Sequence, residues 1–258
     1  MVQARNSPKE LAKREKLILA GLYLSKFDSK ALASLGFGGF TEAFNVIGYA
    51  LGARPASVKN YRDEFDPLFP NERMGWHKRP LRGYCGEIYE QYKSLDLESF
   101  TRLVKSFFTQ EPEALLHEAD FEVSVDASPG FAQRLVTGQA AERYFQAVYS
   151  EIREFRGRVL EDTTQLGCGY DFCLRKEAHP EDFLAIEVKG IREIAGSVSL
   201  TAKEFAVAKS LRTRFCLFVV KNFRETPCHS IYTDPISSSL EFTRIERRII
   251  QVSWSAKV

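Results

Sequence analysis

The spacing of apolar residues changes once along this chain, and that change constrains the fold more than any other feature. Up to about residue 118, apolar residues recur every three to four positions, as they do on one face of an α-helix. After a transition near residues 110–125, short apolar runs bounded by turn residues predict β-strands. The sequence therefore predicts an all-α domain over residues 1–118 and an α+β domain over residues 119–258.

The elements of the second domain follow in a definite order. A long helix is predicted for "TGQAAERYFQAVYSEIREFRG" and a first strand for "RVLEDTT". The later predicted strands are "GYDFCLR", "FLAIEVKG", "FCLFVVKNF", "CHSIYTD" and "RRIIQVSW". A helix, "TAKEFAVAKSLR", falls between "FLAIEVKG" and "FCLFVVKNF". Thr201 followed by Glu204 is the spacing of a capping box and marks the start of that helix.

Composition and charge leave the partner open but exclude some classes. The chain has 258 residues, of which 44% are hydrophobic and 27% charged, as in ordinary globular proteins. No apolar run approaches the roughly 18 residues of a membrane span, and the N-terminus lacks the apolar centre of a secretory signal. We therefore expect a cytoplasmic protein. The net charge of +2 is too small to identify a ligand.

The first domain contains the spacing of a helix-turn-helix. Gly48, Gly52 and Val58 would respectively let two helices approach, turn the chain and return an apolar side chain to the core. The second helix would begin near Ser57, a residue type common at N-caps. Its outward face is predicted to offer DNA-binding groups from Ser57, Lys59, Asn60 and Arg62. A purely structural hairpin is an equal alternative.

A basic stretch, "RMGWHKRPLR" (73–82), is a second candidate for DNA contact. It contains no acidic residue, and its mixture of cations with an aromatic ring suits phosphate contacts and base or sugar packing. The candidate residues are Arg73, Trp76, Lys78, Arg79 and Arg82. The alternative interpretation is a solvated loop between two helices.

Charged residues interrupt two neighbouring strands of the predicted sheet. Because side chains alternate along a strand, Glu187 and Lys189 share one face, and Asp171 belongs to the preceding strand. Two such carboxylates, with the main-chain carbonyl of Ile186 or Val188, can hold a hard divalent cation such as Mg²⁺. The lysine would polarise an attacking water or stabilise charge on a phosphoryl group.

Exposed ion pairs at strand ends are the alternative explanation of these charges. The residues around Glu187 argue against it, because Leu184, Ala185, Ile186 and Val188 indicate a central, buried strand. An unpaired charge in such a strand would be costly. The pattern therefore favours a functional role.

Five short motifs in this part of the chain resemble a known family. They are Ala141-Glu142, Gly169-Tyr170-Asp171, Ile186 to Gly190, Thr201 to Glu204 and Phe215 to Val220. Their order resembles the PD-(D/E)XK nuclease superfamily and, within it, the nuclease-like domain at the C-terminus of NO VEIN-type proteins. Tyr170 stands where the superfamily pattern has a nominal proline.

The resemblance implies a restriction-endonuclease-like α+β fold with a mixed central sheet. It also implies roles for four residues: Asp171 and Glu187 as metal ligands, Lys189 as the catalytic lysine and Glu142 as an auxiliary acid. We therefore expect a Mg²⁺-dependent endonuclease of the restriction type that cleaves double-stranded DNA and acts as a homodimer. A non-catalytic DNA-binding protein that keeps the nuclease-like scaffold is the main alternative, and a repair or RNA nuclease is a third.

Overall fold

The computed structural model describes residues 11–73, 79–108, 129–237 and 240–246. Within these ranges the first part of the chain is helical and the second part combines helices with a sheet. The helices are α1 (Lys13–Leu35), α2 (Phe40–Ala50), α3 (Pro55–Phe65), α4 (Gly83–Tyr92), α5 (Leu97–Ser106), α6 (Pro129–Val148) and α7 (Ala202–Leu211). None of the helices in the described ranges has the length and apolar character needed to cross a bilayer.

The strands form one mixed sheet. They are β1 (Val159–Asp162), β2 (Phe172–Lys176), β3 (His179–Gly190), β4 (Phe215–Lys221) and β5 (Cys228–Thr233), and they lie in chain order across the sheet. All neighbours pair antiparallel except β3 and β4, which are parallel because α7 crosses between them. The predicted fold class, an α+β domain with a mixed sheet preceded by a helical region, is confirmed.

Each face of the sheet is covered by a helix. Ile186 on β3 and Phe218 on β4 belong to the large core that includes α6, where Phe145 packs at 4.9 Å, centroid to centroid, from Phe218. On the opposite face, Ala185 and Phe215 pack with residues of α7 in a smaller cluster. Because Glu187 alternates with Ile186, its side chain lies on the α7 face.

The helical hairpin of α2 and α3 has the predicted geometry. A Cβ at Gly48 would lie 2.8 Å from Pro55 Cα, so a side chain there would hold the helices apart. Gly52 turns the chain with φ +62°, and Val58 is fully buried. The second helix begins at Pro55 rather than near Ser57, because the fixed φ of proline suits the first helical position. Whether the hairpin binds DNA stays a prediction.

The helical part and the sheet share one apolar core. Residues of α1, α2 and α3 form a single buried cluster with those of α6 and the α6-facing side of the sheet. A buried amide reinforces this packing, because Asn45 Nδ2 of α2 donates at 2.8 Å to the carbonyls of both Phe223 and Glu225 beyond β4. The predicted division at residues 118 and 119 lies outside the described residues and stays a prediction.

Other predicted boundaries shift for local reasons. The long helix begins at Pro129, eight positions before the predicted start, and ends at Val148, where short 3₁₀ turns replace it. β2 begins at Phe172 rather than Gly169, because Gly169 takes a φ of +90° that a strand does not allow. The strand predicted for "RRIIQVSW" lies outside the described residues.

Candidate active site

The register of β2 and β3 brings the predicted acidic residues together. Phe172 pairs with Ile186, so Asp171, one position before β2, lies beside Glu187 and on the same face. Two hydrogen bonds hold this arrangement. The Asp171 N–H donates to the Ile186 carbonyl at 3.0 Å, and the Val188 N–H donates to Asp171 Oδ2 at 2.7 Å.

Glu187 is a buried acid with a lysine as its counter-ion. It is 2% exposed, and its Oε1 lies 2.6 Å from Lys189 Nζ. Burial raises the pKa of Glu187 well above its ordinary value, and the nearby charge of Asp171 raises it further, although Lys189 opposes both effects. Lys189 therefore compensates the charge of the buried Glu187 only in part.

Glu204 is a fourth member of the cluster, and its contact with Lys189 was not predicted. The capping box expected from Thr201 and Glu204 is confirmed, since Thr201 Oγ1 accepts from the Glu204 N–H and Glu204 Oε2 accepts from the Thr201 N–H. The same Oε2 also lies 3.0 Å from Lys189 Nζ. Burial alone would lower the pKa of Lys189, but Glu187 and Glu204 outweigh it and raise that pKa above its ordinary value.

A cleft of about 330 Å³ opens over these groups. Asp171, Glu187, Val188 and Lys189 line it, and so does Glu142 of α6, whose role as an auxiliary acid stays a prediction. The other polar residues around it include Gln133, Arg134, Thr137, Arg192, Ser197, Ser199 and Glu204. All four residues with predicted catalytic roles therefore share one cleft.

Two glycines allow this site to form. Gly169 precedes Asp171 with φ +90°, and a Cβ there would lie 2.9 Å from Val207 Cγ2 of α7. A Cβ at Gly190, at the end of β3, would lie 2.9 Å from the Thr137 carbonyl oxygen of α6. These contacts give a physical reason for a glycine at both ends of the motif region, where helices approach the strands closely.

The donor set suits a hard cation with few protein ligands. Among the described residues there is no group of three or more His, Cys, Asp or Glu side chains arranged to hold a metal ion. Asp171 and Glu187 nevertheless supply two adjacent carboxylates, and burial together with the charge of Asp171 raises the pKa of Glu187, so a bound cation would stabilise its ionised form. Mg²⁺ matches this chemistry because it binds through one or two carboxylates and keeps several waters. Of the two carbonyls predicted as further ligands, that of Ile186 already accepts the Asp171 N–H.

The prediction that Arg62 faces outward is wrong. Arg62 is 8% exposed because its side chain points back towards α2. It pairs with Asp63, and its guanidinium lies over the rings of Phe40 and Phe44 at 4.8 and 4.9 Å. Ser57 is half-buried, whereas Lys59 and Asn60 are exposed as predicted.

Much of the basic stretch is engaged by acids from elsewhere in the chain. Arg79 and Arg82 both bind Glu64, which is 3% exposed, and Arg73 binds Asp66, which is 1% exposed. The stretch itself contains no acid, but α3 and the turn after it supply carboxylates to these three arginines. Whether the arginines contact DNA stays a prediction. The candidates Trp76 and Lys78 lie outside the described residues.

The α+β fold brings together in one cleft the acidic residues of the motifs that resemble the NO VEIN C-terminal domain. In agreement, residues 141–233 match the family model described as "Protein NO VEIN, C-terminal". The matched segment covers a little over a third of the chain and contains Asp171, Glu187 and Lys189. No curated protein and no solved structure matches the chain significantly.

Proposed function

We propose that this protein is a Mg²⁺-dependent endonuclease that hydrolyses phosphodiester bonds in double-stranded DNA. One observation carries the proposal: Asp171 and the buried Glu187 lie side by side in a cleft, with Lys189 Nζ 2.6 Å from Glu187. The topology supports it, because three antiparallel strands, a crossover helix and a parallel fourth strand are the order expected for a PD-(D/E)XK nuclease.

Each residue of the cluster has a distinct part in this chemistry. Asp171 and Glu187 would hold Mg²⁺, which when bound polarises a phosphoryl oxygen and lowers the pKa of a bound water. The Val188 N–H orients Asp171. Lys189 carries a positive charge at the floor of the cleft, where it would stabilise negative charge that builds up on the phosphoryl oxygens. Glu204 Oε2, 3.0 Å from Lys189 Nζ, also holds that lysine in place.

Sequence-specific cleavage of the restriction type is the finer proposal. The exposed Lys59 and Asn60 on α3 carry cationic and amide groups suited to phosphates and base edges. A homodimer with two-fold symmetry would place one site on each DNA strand. The alternatives are a non-catalytic DNA-binding protein that keeps this scaffold, which the complete acid and lysine cluster disfavours, and a repair or RNA nuclease.

Cleavage assays separate these alternatives. The protein is incubated with plasmid and phage DNA, modified and unmodified, in Mg²⁺, in Ca²⁺ and in excess chelator. Discrete bands in Mg²⁺ alone support the restriction-type proposal, and smeared products or cleavage of RNA favour the third alternative. Binding without cleavage of any DNA favours the scaffold, and full activity in chelator contradicts the metal assignment.

Lys189→Ala tests the cluster directly. We expect cleavage to slow by about 10²–10³-fold, because a group that stabilises transition-state charge is lost, while DNA binding is largely kept. Lys209→Ala, which removes an exposed lysine from α7 outside the cleft, is the matched control and should cut at the wild-type rate. An undiminished rate for Lys189→Ala would remove this lysine from the mechanism.

A further inference from the structure

A buried ionic network stands behind one wall of the cleft. Glu42 of α2 is 1% exposed, and its carboxylate accepts from Arg192 Nε, from Arg192 Nη2 at 2.9 Å and from Gln133 Nε2 at 3.2 Å. The Gly38 N–H adds a fourth hydrogen bond at 2.8 Å. Arg192 and Gln133 both line the cleft, whereas Glu42 lies behind them.

This network fixes Arg192 without using all of its donors. A guanidinium carries five N–H groups. Two of them bind Glu42, and Nη1 makes one further contact of 3.3 Å with Gln133 Oε1. The side chain remains 32% exposed and borders the cleft. Arg192 is thus held rigidly on one side and can still donate on the other, which is how a preorganised anion-binding arginine is built.

The balance of charges in the cleft makes a basic group at this wall important for binding an anion. Four carboxyl groups and three basic side chains line the cleft among the described residues. Of the basic groups, Lys189 is already bound by Glu187 and Glu204. The carboxyl groups outnumber the basic groups by one even with Arg192 counted, so Arg192 reduces, without cancelling, the repulsion that a polyanion entering the cleft would meet.

Two hydroxyl groups lie on the loop that follows Arg192. Ser197 and Ser199 are exposed, border the same cleft and are two positions apart. Neither hydroxyl has a hydrogen-bond partner within the part of the chain that the structure describes. Neutral hydroxyl donors beside a guanidinium are a usual combination at phosphate groups.

We infer that Arg192, with Ser197 and Ser199, forms a second phosphate-binding subsite in the cleft. This subsite would bind a backbone phosphodiester of DNA next to the phosphodiester held at Lys189. The choice of DNA as the ligand rests on the proposed nuclease function. Glu42 is a positioning residue for Arg192. Because Glu42 belongs to α2, the helical part of the chain supports one wall of the cleft from behind.

The test measures affinity for a fluorescent DNA duplex in Ca²⁺ over a range of salt concentrations. Removing both charges in the double variant Arg192→Ala with Glu42→Gln avoids leaving a buried acid unpaired. We expect about tenfold weaker binding and a slope of log affinity against log salt that is shallower by about one, because one phosphate contact is lost. Arg224→Ala removes a neighbouring arginine that pairs with Glu193 outside the cleft, and it should keep the wild-type slope.

A second pair of substitutions protects the test against misfolding. Ser197→Ala with Ser199→Ala changes only an exposed loop and should weaken binding several-fold without changing the salt slope, because no charge is removed. The subsite is overturned if the Arg192 double variant folds and keeps the wild-type affinity and salt slope. If that variant does not fold, wild-type affinity in the serine variant overturns the subsite. If the wild-type protein cuts DNA while these variants bind normally, only the subsite fails. If the wild-type protein neither binds nor cuts, the proposed function fails as well.

Discussion

Glu64 offers a quantitative test of the ion-pair network that it forms with Arg79 and Arg82 of the basic stretch. It is 3% exposed, and it accepts hydrogen bonds from Arg79 Nη1 at 2.9 Å, from Arg82 Nη2 at 2.8 Å and from the Arg82 N–H at 2.9 Å. The perturbation is Glu64→Gln, which removes the charge and keeps the shape. Arg79 and Arg82 are partly exposed to solvent, so losing the charge of their partner should destabilise these two side chains only slightly.

The expected magnitude follows from the pKa. Burial alone would raise the pKa of Glu64, but the hydrogen bonds from Arg79 and Arg82 outweigh it and lower that pKa from 4.5 to about 2. The difference corresponds to at most about 3 kcal/mol of folding free energy at pH 7. Since the folded-state pKa is the lower one, this stability is present above pH 4.5 and is lost as the pH falls towards 2.

Urea unfolding at pH 7 and pH 3 measures this contribution. Wild type should exceed Glu64→Gln by up to about 3 kcal/mol at pH 7, and the gap should shrink by about 2 kcal/mol at pH 3. Glu90→Gln is the matched control, because Glu90 forms an exposed pair with Lys93 and should show almost no gap at either pH. A gap for Glu64→Gln that does not change with pH would refute the reasoning.

Two further outcomes test the packing and the proposed DNA-binding helix. Gly190→Ala should lower the free energy of unfolding by about 1–3 kcal/mol because its Cβ would press on the Thr137 carbonyl, whereas Gly138→Ala, with open space at its Cβ, should raise it by up to about 1 kcal/mol. Equal changes in urea denaturation would contradict the close approach. Asn60→Ala should weaken sequence preference in a DNA titration by about 1–3 kcal/mol, and Arg62→Ala should instead lower stability. The reverse pattern would restore Arg62 as a DNA contact.

The sequence predicted the grouping of Asp171, Glu187 and Lys189, because local rules determine this part of the structure. Glu187 and Lys189 share a face because side chains alternate along any strand, and the buried run around them identified that strand as central. The position of Asp171 beside them followed once β2 and β3 were taken as neighbours. The capping box at Thr201 is equally local, since three residues separate its two partners.

Contacts between distant segments were not predictable in this way. Glu42 and Arg192 are 150 positions apart, and no periodicity in either segment indicates that they meet. Glu204 was recognised as a cap, but its bond to Lys189 depends on the crossover that sets the start of α7 against the end of β3. Arg62 was misread because helical phase alone does not show that Phe40 and Phe44 form an aromatic surface beneath it.

The bond between Asn45 and the chain beyond β4 limits how this protein can be re-engineered. Replacing the helical region with one from another protein would leave the carbonyls of Phe223 and Glu225 without their donor and would uncover the apolar residues that α2 now covers. Domain shuffling, which changes the specificity of modular enzymes by exchanging cassettes, is therefore a poor route here. New specificity would have to come from point substitutions on the exposed surface of a scaffold kept whole.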